Sequence, residues 1–129
     1  NGLDPTGGDI DVEAILDEIQ RWEDSANGNP VTVILARIIN QVPFTDDVTD
    51  FNTIVANMAN DRITNLGDDI IIVDQENDSR LDYTTIGVDM ADSLHPTYPN
   101  GYDKMKDVWL NALTAVNPNT NEVVLDTCP

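Results

Sequence analysis

Two short apolar runs decide the fold: residues 31–39 (VTVILARII) and residues 69–74 (DIIIVD). Both are dominated by branched aliphatic side chains, which favour extended backbone, and they are short for helices of their own. Apolar residues follow one another without alternation, which is typical of strands whose two faces are both covered, as in parallel sheets. We therefore predict two fully buried parallel strands.

Three amphipathic segments surround these strands. Apolar residues recur at helical spacing over about residues 11–23, 46–65 and 101–116. The order helix, strand, helix, strand, loop, helix predicts a layered α/β fold with a parallel sheet.

The ends and the apolar faces of these helices can also be predicted. Thr45 or Asp46 can cap the second helix, and Gly67 ends it. We assign the apolar stripes to the core. The stripe residues are Ile15, Leu16, Ile19, Trp22, Val48, Phe51, Ile54, Val55, Met58, Ile63, Met105, Val108, Trp109, Ala112 and Leu113.

We expect the domain to be incomplete in this chain, because two strands cannot cover three helices and a parallel sheet is normally buried on both faces. The chain opens with Asn1 in a turn-rich segment and lacks an initiator Met, so we expect the missing strands to precede it in a longer precursor. Residues 1–116 are then the C-terminal portion of a domain, and residues 117–129 are a tail. Without those strands, an apolar edge and apolar faces would be exposed.

The charge balance constrains the partners. Six Lys and Arg residues face 24 Asp and Glu residues, for a formal net charge of −18. Such a surface repels phosphate groups, which disfavours nucleic acid and anionic membranes as partners. Apolar runs stay well below the roughly 20 residues of a membrane span. The single cysteine, Cys128, can pair only with a cysteine outside this chain, which would require an oxidising compartment.

The chain has one histidine, His95, in the sequence DSLHP between the last strand and the last helix. Catalytic groups of open α/β sheets collect at the carboxyl ends of the strands. Imidazole can accept and return a proton near neutral pH. Asp92 lies three residues earlier and can reach the Nδ1–H group, which would fix the tautomer. His95 and Asp92 are therefore candidate catalytic residues, with a solvated surface histidine as the alternative.

Residues 89–109 (DMADSLHPTYPNGYDKMKDVW) resemble the last conserved block of the SGNH hydrolases, also called GDSL-type esterases and lipases. That block typically reads D-G-x-H-P-N-x-x-G-Y-x-K-M and precedes a helix. The two strands and the helix containing Phe51 and Asn52 are similar to the later elements of that family in order and spacing. The resemblance covers about residues 1–116 and is nearest to secreted acetyl esterases, including acetyl xylan esterases of carbohydrate esterase family three.

The resemblance implies the C-terminal part of a flavodoxin-like three-layer α/β/α SGNH fold with a parallel sheet, incomplete without its N-terminal strands. It also implies an extracellular esterase that deacetylates carbohydrate by acyl transfer, without a cofactor. His95 corresponds to the general base and Asp92 to its orienting acid. The family nucleophile lies in a Gly-Asp-Ser block, and none of Ser25, Ser79 and Ser93 has that context. We expect this chain to be inactive alone and to need the N-terminal part of its domain, or another chain, to complete the sheet.

Other positions depart from the family pattern or allow two interpretations. Thr97 stands where the family has Asn, and residues 96–100 form a run that is one residue longer than usual. Asn1 is either the oxyanion-hole Asn of the family's G-x-N-D block or a terminal turn residue. Tyr98 can form a wall of a sugar subsite, whereas Tyr102 is expected to pack under the last helix.

Arg37, at the end of the first strand, can contact substrate or form an ion pair with one of the many carboxylates. The acidic residues in 74–92 are dense enough to suggest an irregular site for a hard cation. The alternative function is therefore a non-catalytic acidic α/β binding or structural module, with calcium as a candidate ligand.

Overall fold

The computed structural model describes residues 7–116. Its elements, in chain order, are α1 (Gly8–Glu23), β1 (Val33–Arg37), α2 (Asp46–Asn65), β2 (Ile70–Asp74) and α3 (Asn100–Val116). The predicted alternation of helices and strands is confirmed for this part of the chain. Asn1, Cys128 and the tail lie outside the described residues.

The two strands form a parallel sheet, as predicted. Val33 pairs with Ile70 at one end of the sheet, and Arg37 pairs with Asp74 at the other. The carboxyl ends of both strands therefore lie at the same end of the sheet. There the chain leaves β2 toward the loop that carries the histidine.

The predicted full burial was wrong for both strands, since only Ile70 and Val73 of β2 are buried. For the first strand the predicted length was wrong as well. β1 covers five residues, and each of them is only partly buried. The strand ends early because the N–H group of Ile38 donates to the side chain of Asn52, at 2.7 Å, instead of continuing the sheet ladder. Burial is incomplete because β1 has a single neighbouring strand within residues 7–116.

Helices cover both faces of the sheet. One core cluster joins α1, α2 and β2 through Leu16, Ala59 and Ile70, and Leu35 of β1 packs against it. Since successive side chains of a strand point to opposite faces, Val73 of β2 faces the other way. There it lines a groove together with residues of α3. The described chain is thus an α/β structure with α1 and α2 on one face and α3 on the other.

The apolar stripe of α1 is only partly covered. Leu16 is buried, as predicted, but Ile15 is 62% exposed and Trp22 is 49% exposed. The assignment of these two residues to the core was wrong, because the stripe is wider than the surface that α2 and the two strands cover. Leu113 of α3, also assigned to the core, is 49% exposed.

The ends of α2 follow the predicted chemistry. The hydroxyl of Thr45 accepts a hydrogen bond from the N–H group of Asp47 at 3.3 Å. Gly67 adopts a positive φ of 82° and its N–H group donates to the carbonyl of Arg62, which closes the helix. Among the helices of residues 7–116, none has the length and apolar character that a membrane crossing requires.

Candidate active site

His95 and Asp92 lie at the tip of a short loop, residues 90–96, within the long connection from β2 to α3. Met90 and Pro96 form an antiparallel bridge at the base of this loop. Above the bridge, the N–H group of Ala91 donates to the carbonyl of His95 at 2.7 Å. Two backbone links therefore fix the segment that presents both candidate side chains.

The base of the loop is anchored in a second core cluster. Met90 is completely buried and packs with Leu81 and Tyr83. Val42, which follows β1, also packs against this cluster, and its N–H group donates to the carbonyl of Ser93 at 2.9 Å. The loop is therefore held against the carboxyl end of β1, where α/β folds usually place their functional groups.

The spacing of three residues explains how Asp92 meets His95. The Asp92 Oδ1 atom accepts hydrogen bonds from the N–H groups of Leu94 and His95, each at 2.8 Å. This turn brings the imidazole back over the carboxylate. The His95 Nδ1 atom then lies 3.0 Å from Oδ1 and 2.9 Å from Oδ2. The pair predicted from sequence is present and arises from local backbone geometry.

The electrostatics of the pair suit a proton-transfer role. Hydrogen bonds from the N–H group of Leu94, and then from the side chain of His95, lower the pKa of Asp92 to about 2, so Asp92 is ionised at neutral pH. An ionised partner at Nδ1 favours the tautomer with the proton on that nitrogen. The Nε2 atom then carries a free lone pair, and it makes no hydrogen bond to any other group in residues 7–116. The His95 side chain is 69% exposed, so a hydroxyl group can approach Nε2.

The two tyrosines near His95 differ from one another and partly from the prediction. Tyr98 is 89% exposed, close to the histidine in sequence, and free to offer its ring to a ligand. Tyr102 is also exposed, so its predicted packing under the last helix was wrong. The first turn of α3 instead packs through Gly101, whose Cα lies against the carbonyl of Asp89 and against Pro96.

Arg37 forms ion pairs, which was one of the two interpretations of this residue. Its Nη1 atom lies 2.7 Å from Asp74 and its Nη2 atom lies 3.3 Å from Glu76. The side chain is mostly buried. Contact with substrate stays a prediction for Arg37.

Glu76 organises a buried polar network that the sequence analysis missed. Its carboxylate accepts hydrogen bonds from Asn40 at 2.9 Å, Asn52 at 3.0 Å and Thr49 at 2.5 Å. The Asn52 side chain also bonds both the N–H and the carbonyl of Ile38. The network thereby joins the residues that follow both strands to α2, at the same end of the sheet as the candidate site.

One signal for this network was present in the sequence. Asn52 occupies a position on α2 between the buried residues Val48 and Val55, at helical spacing from both. A polar side chain at such a position needs buried hydrogen-bond partners. Its partner Glu76 is 24 residues away and gives no comparable signal.

Most acidic side chains in residues 74–92 are engaged in other interactions. Asp74 binds Arg37 and Asn77, Asp82 accepts from Thr84, and Asp89 binds Lys104. Within residues 7–116, no group of three or more His, Cys, Asp or Glu side chains is arranged to hold a metal ion. The hard-cation site suggested by carboxylate density is not formed in this part of the chain.

Comparisons with known proteins give no match: the chain matches no protein-family model, no curated protein and no solved structure. The SGNH resemblance therefore stays a prediction based on residues 89–109 and on the order of the elements. The pairing of His95 with Asp92 does not depend on that resemblance, because the two side chains lie within hydrogen-bond distance in the structure.

Proposed function

We propose that this chain carries the His–Asp part of a serine-type carboxylesterase with an SGNH fold. The observation that carries the proposal is the contact of the Asp92 carboxylate with the Nδ1 atom of His95, whose side chain is exposed and whose Nε2 atom makes no hydrogen bond within residues 7–116. The position of the pair at the carboxyl end of a parallel sheet supports the proposal.

In the proposed mechanism, a serine hydroxyl outside the described residues attacks the ester carbonyl, and the Nε2 atom of His95 accepts its proton. Asp92 holds the ring and stabilises the imidazolium. When the tetrahedral intermediate collapses, the bond to the alcohol breaks and His95 returns the proton to that alcohol. Water then attacks the acyl-enzyme, His95 takes a proton from it, and the acid leaves as the serine is restored.

The serine must come from a segment that completes the sheet, either the N-terminal part of the same domain or another chain. Two features of the described residues support such a partner. β1 is only partly buried along its whole length. Ile15 and Trp22 expose apolar surface on α1, which a further layer of strands and helices would cover.

The proposed substrate is an acetylated carbohydrate, and the proposed location is extracellular. Tyr98 supports this substrate class because it presents an exposed aromatic ring three residues after His95 in the sequence, and aromatic faces offer apolar area with a polar tip. The net charge of −18 disfavours nucleic acid as a ligand. Asn1 stays the proposed oxyanion-hole donor, although it lies outside the described residues.

The test uses a full-length protein that contains this sequence together with its complementing segment. Hydrolysis of p-nitrophenyl acetate and release of acetate from acetylated xylan are measured for the parent and for His95→Ala. We expect the variant to lose roughly a thousandfold or more in kcat, as serine hydrolases do when the base is removed. The matched control is Lys106→Met, which removes an exposed ion pair on α3 and should retain the parent rate.

Two outcomes contradict the proposal in different ways. Activity that survives in His95→Ala would exclude His95 as the base. A parent protein that hydrolyses neither ester would instead support the alternative of a non-catalytic acidic binding module.

A further inference from the structure

Asp89 is a buried carboxylate at the base of the loop that carries Asp92 and His95. Its side chain is 5% exposed. The Oδ2 atom accepts hydrogen bonds from the Lys104 ammonium at 2.5 Å and from the N–H group of Asp82 at 2.8 Å. The Lys104 bond is the main reason why the pKa of Asp89 is lowered. Lys104 also donates to the carbonyl of Arg80, so this residue of α3 binds both the Asp89 carboxylate and the backbone at residue 80.

The backbone of Asp89 is connected to the far end of the same loop. Its carbonyl accepts from the N–H group of Thr97 at 2.7 Å and lies 3.2 Å from the Thr97 hydroxyl. The same hydroxyl lies 2.9 Å from the carbonyl of Val88 and accepts from the N–H group of Gly101 in the first turn of α3. Gly101 permits this close approach, because a Cβ atom there would overlap the Asp89 carbonyl.

The turn at Asp92 brings the two side chains together, but the tip of the loop is exposed. Asp92 and His95 are both more than half exposed, and an exposed ion pair contributes little to stability. We therefore expect the order of this turn to depend also on the base of the loop. That base contains the ion pair of the buried Asp89 carboxylate with Lys104 and the backbone hydrogen bond between Asp89 and Thr97.

We propose that Asp89, Lys104 and Thr97, which we name the loop clamp, are positioning residues that hold Asp92 and His95 in a geometry competent for proton transfer. Their catalytic consequence rests on the proposed function, whereas their effect on the loop does not. Within residues 7–116, none of the three side chains forms a hydrogen bond with the His95 ring, so they are proposed to act through the backbone between residues 89 and 97.

The test uses the 129-residue chain. His95 is its only histidine, so the imidazole NMR signals can be assigned to the loop without ambiguity. Nitrogen-15 NMR correlations report which ring nitrogen carries the proton when the imidazole is neutral. Hydrogen exchange of the Ala91 amide reports its bond to the His95 carbonyl. For the parent we expect the Nδ1-protonated tautomer and a protected Ala91 amide.

The diagnostic variant is Lys104→Met, which removes the ammonium and keeps the aliphatic stem. Loss of a charged hydrogen-bond partner from a buried carboxylate should raise Ala91 exchange about tenfold and mix the two tautomers of His95. Lys104→Arg should retain the parent pattern because it restores the charge. Lys106→Met, on the same helix but at the surface, should change exchange by less than about twofold.

A second pair of variants tests the clamp without touching its charge. Thr97→Val removes the hydroxyl that links residues 88, 89 and 101, whereas Thr97→Ser keeps it. We expect the valine variant to raise Ala91 exchange and the serine variant to resemble the parent, while the amides of Val55 and Ala59 on α2 stay protected in both.

The proposal is overturned if Lys104→Met, or Thr97→Val where Lys104→Met does not fold, leaves both the tautomer and Ala91 exchange at parent values. In the full-length protein, Lys104→Met should lower kcat more than it raises KM. A full-length parent without esterase activity would contradict the proposed function but would leave the loop measurements, and thus the clamp, intact.

Discussion

The region at the carboxyl ends of the strands and the outer side of α1 are built in different ways. At the carboxyl ends of the strands, polar groups are buried and paired: Glu76 with Asn40 and Asn52, and Asp89 with Lys104. Toward α1, apolar side chains are exposed instead, with Ile15 and Trp22 in contact with solvent. The candidate site is therefore supported by buried polar pairs within residues 7–116, whereas the outer side of α1 leaves apolar surface exposed.

The largest effect is expected at the buried network. Glu76→Ala removes a carboxylate that is 1% exposed and leaves several buried donors without an acceptor. We expect the free energy of unfolding to fall by about 3–5 kcal/mol, as when one member of a buried charged network is removed. Urea denaturation measures this change. Glu18→Ala, which breaks an exposed pair with Arg21 on α1, should cost less than about 1 kcal/mol. Equal losses in the two variants would contradict the difference between the buried network and the outer side of α1.

Leu16 and Ile15 are adjacent on α1 but differ in burial, so their contributions to stability should differ. Leu16→Ala should cost about 2–5 kcal/mol because Leu16 belongs to the core cluster. Ile15→Ala should cost at most about 0.5 kcal/mol, since its side chain is mostly exposed. Thermal or urea unfolding of the two variants, in parallel, gives the difference. Equal costs would show that Ile15 is covered in solution, for instance by self-association.

Gly101→Ala tests the close packing under the loop. A Cβ atom would meet the backbone carbonyl of Asp89 and the Pro96 ring, which can yield only if the loop moves. We expect a loss of about 1–3 kcal/mol, the usual cost of overpacking. Asn100→Ala, at the exposed neighbouring position, serves as the control in the same unfolding experiment. Similar stability of both variants would contradict the described contact.

The smallest effect concerns pH. The pKa of Asp92 is about 2 in the folded chain against an ordinary value of 3.8, so the folded form stays ionised where the unfolded form is already protonated. The stabilisation that Asp92 supplies is therefore full above about pH 4 and is lost as the pH falls toward 2. The amide shifts of Leu94 and His95 follow this titration. A midpoint near 3.8 would show that these hydrogen bonds are absent.

Local features were predictable from sequence because their causes are local. The two strands follow from short branched aliphatic runs, the cap of α2 from Thr45, its end from Gly67, and the Asp92–His95 pair from a spacing that one turn satisfies. These predictions needed no knowledge of distant residues.

Features that depend on distant residues were not predictable. The Asn52–Glu76 and Asp89–Lys104 contacts join residues 24 and 15 positions apart, and nothing in the sequence indicates which acid meets which partner among so many carboxylates. The burial of β1 and of Trp22 depends on neighbours, and a periodic pattern shows which side is apolar but not what covers it.

The most direct test of His95 and Asp92 as an activating pair is covalent labelling of the complemented full-length protein by a fluorophosphonate, with the labelled residue identified by mass spectrometry. Labelling should occur on a serine outside residues 7–116, slow by roughly a thousandfold in His95→Ala, and proceed at the parent rate in Lys106→Met. Labelling that is independent of His95, or that falls on Ser25, Ser79 or Ser93, would contradict the assignment.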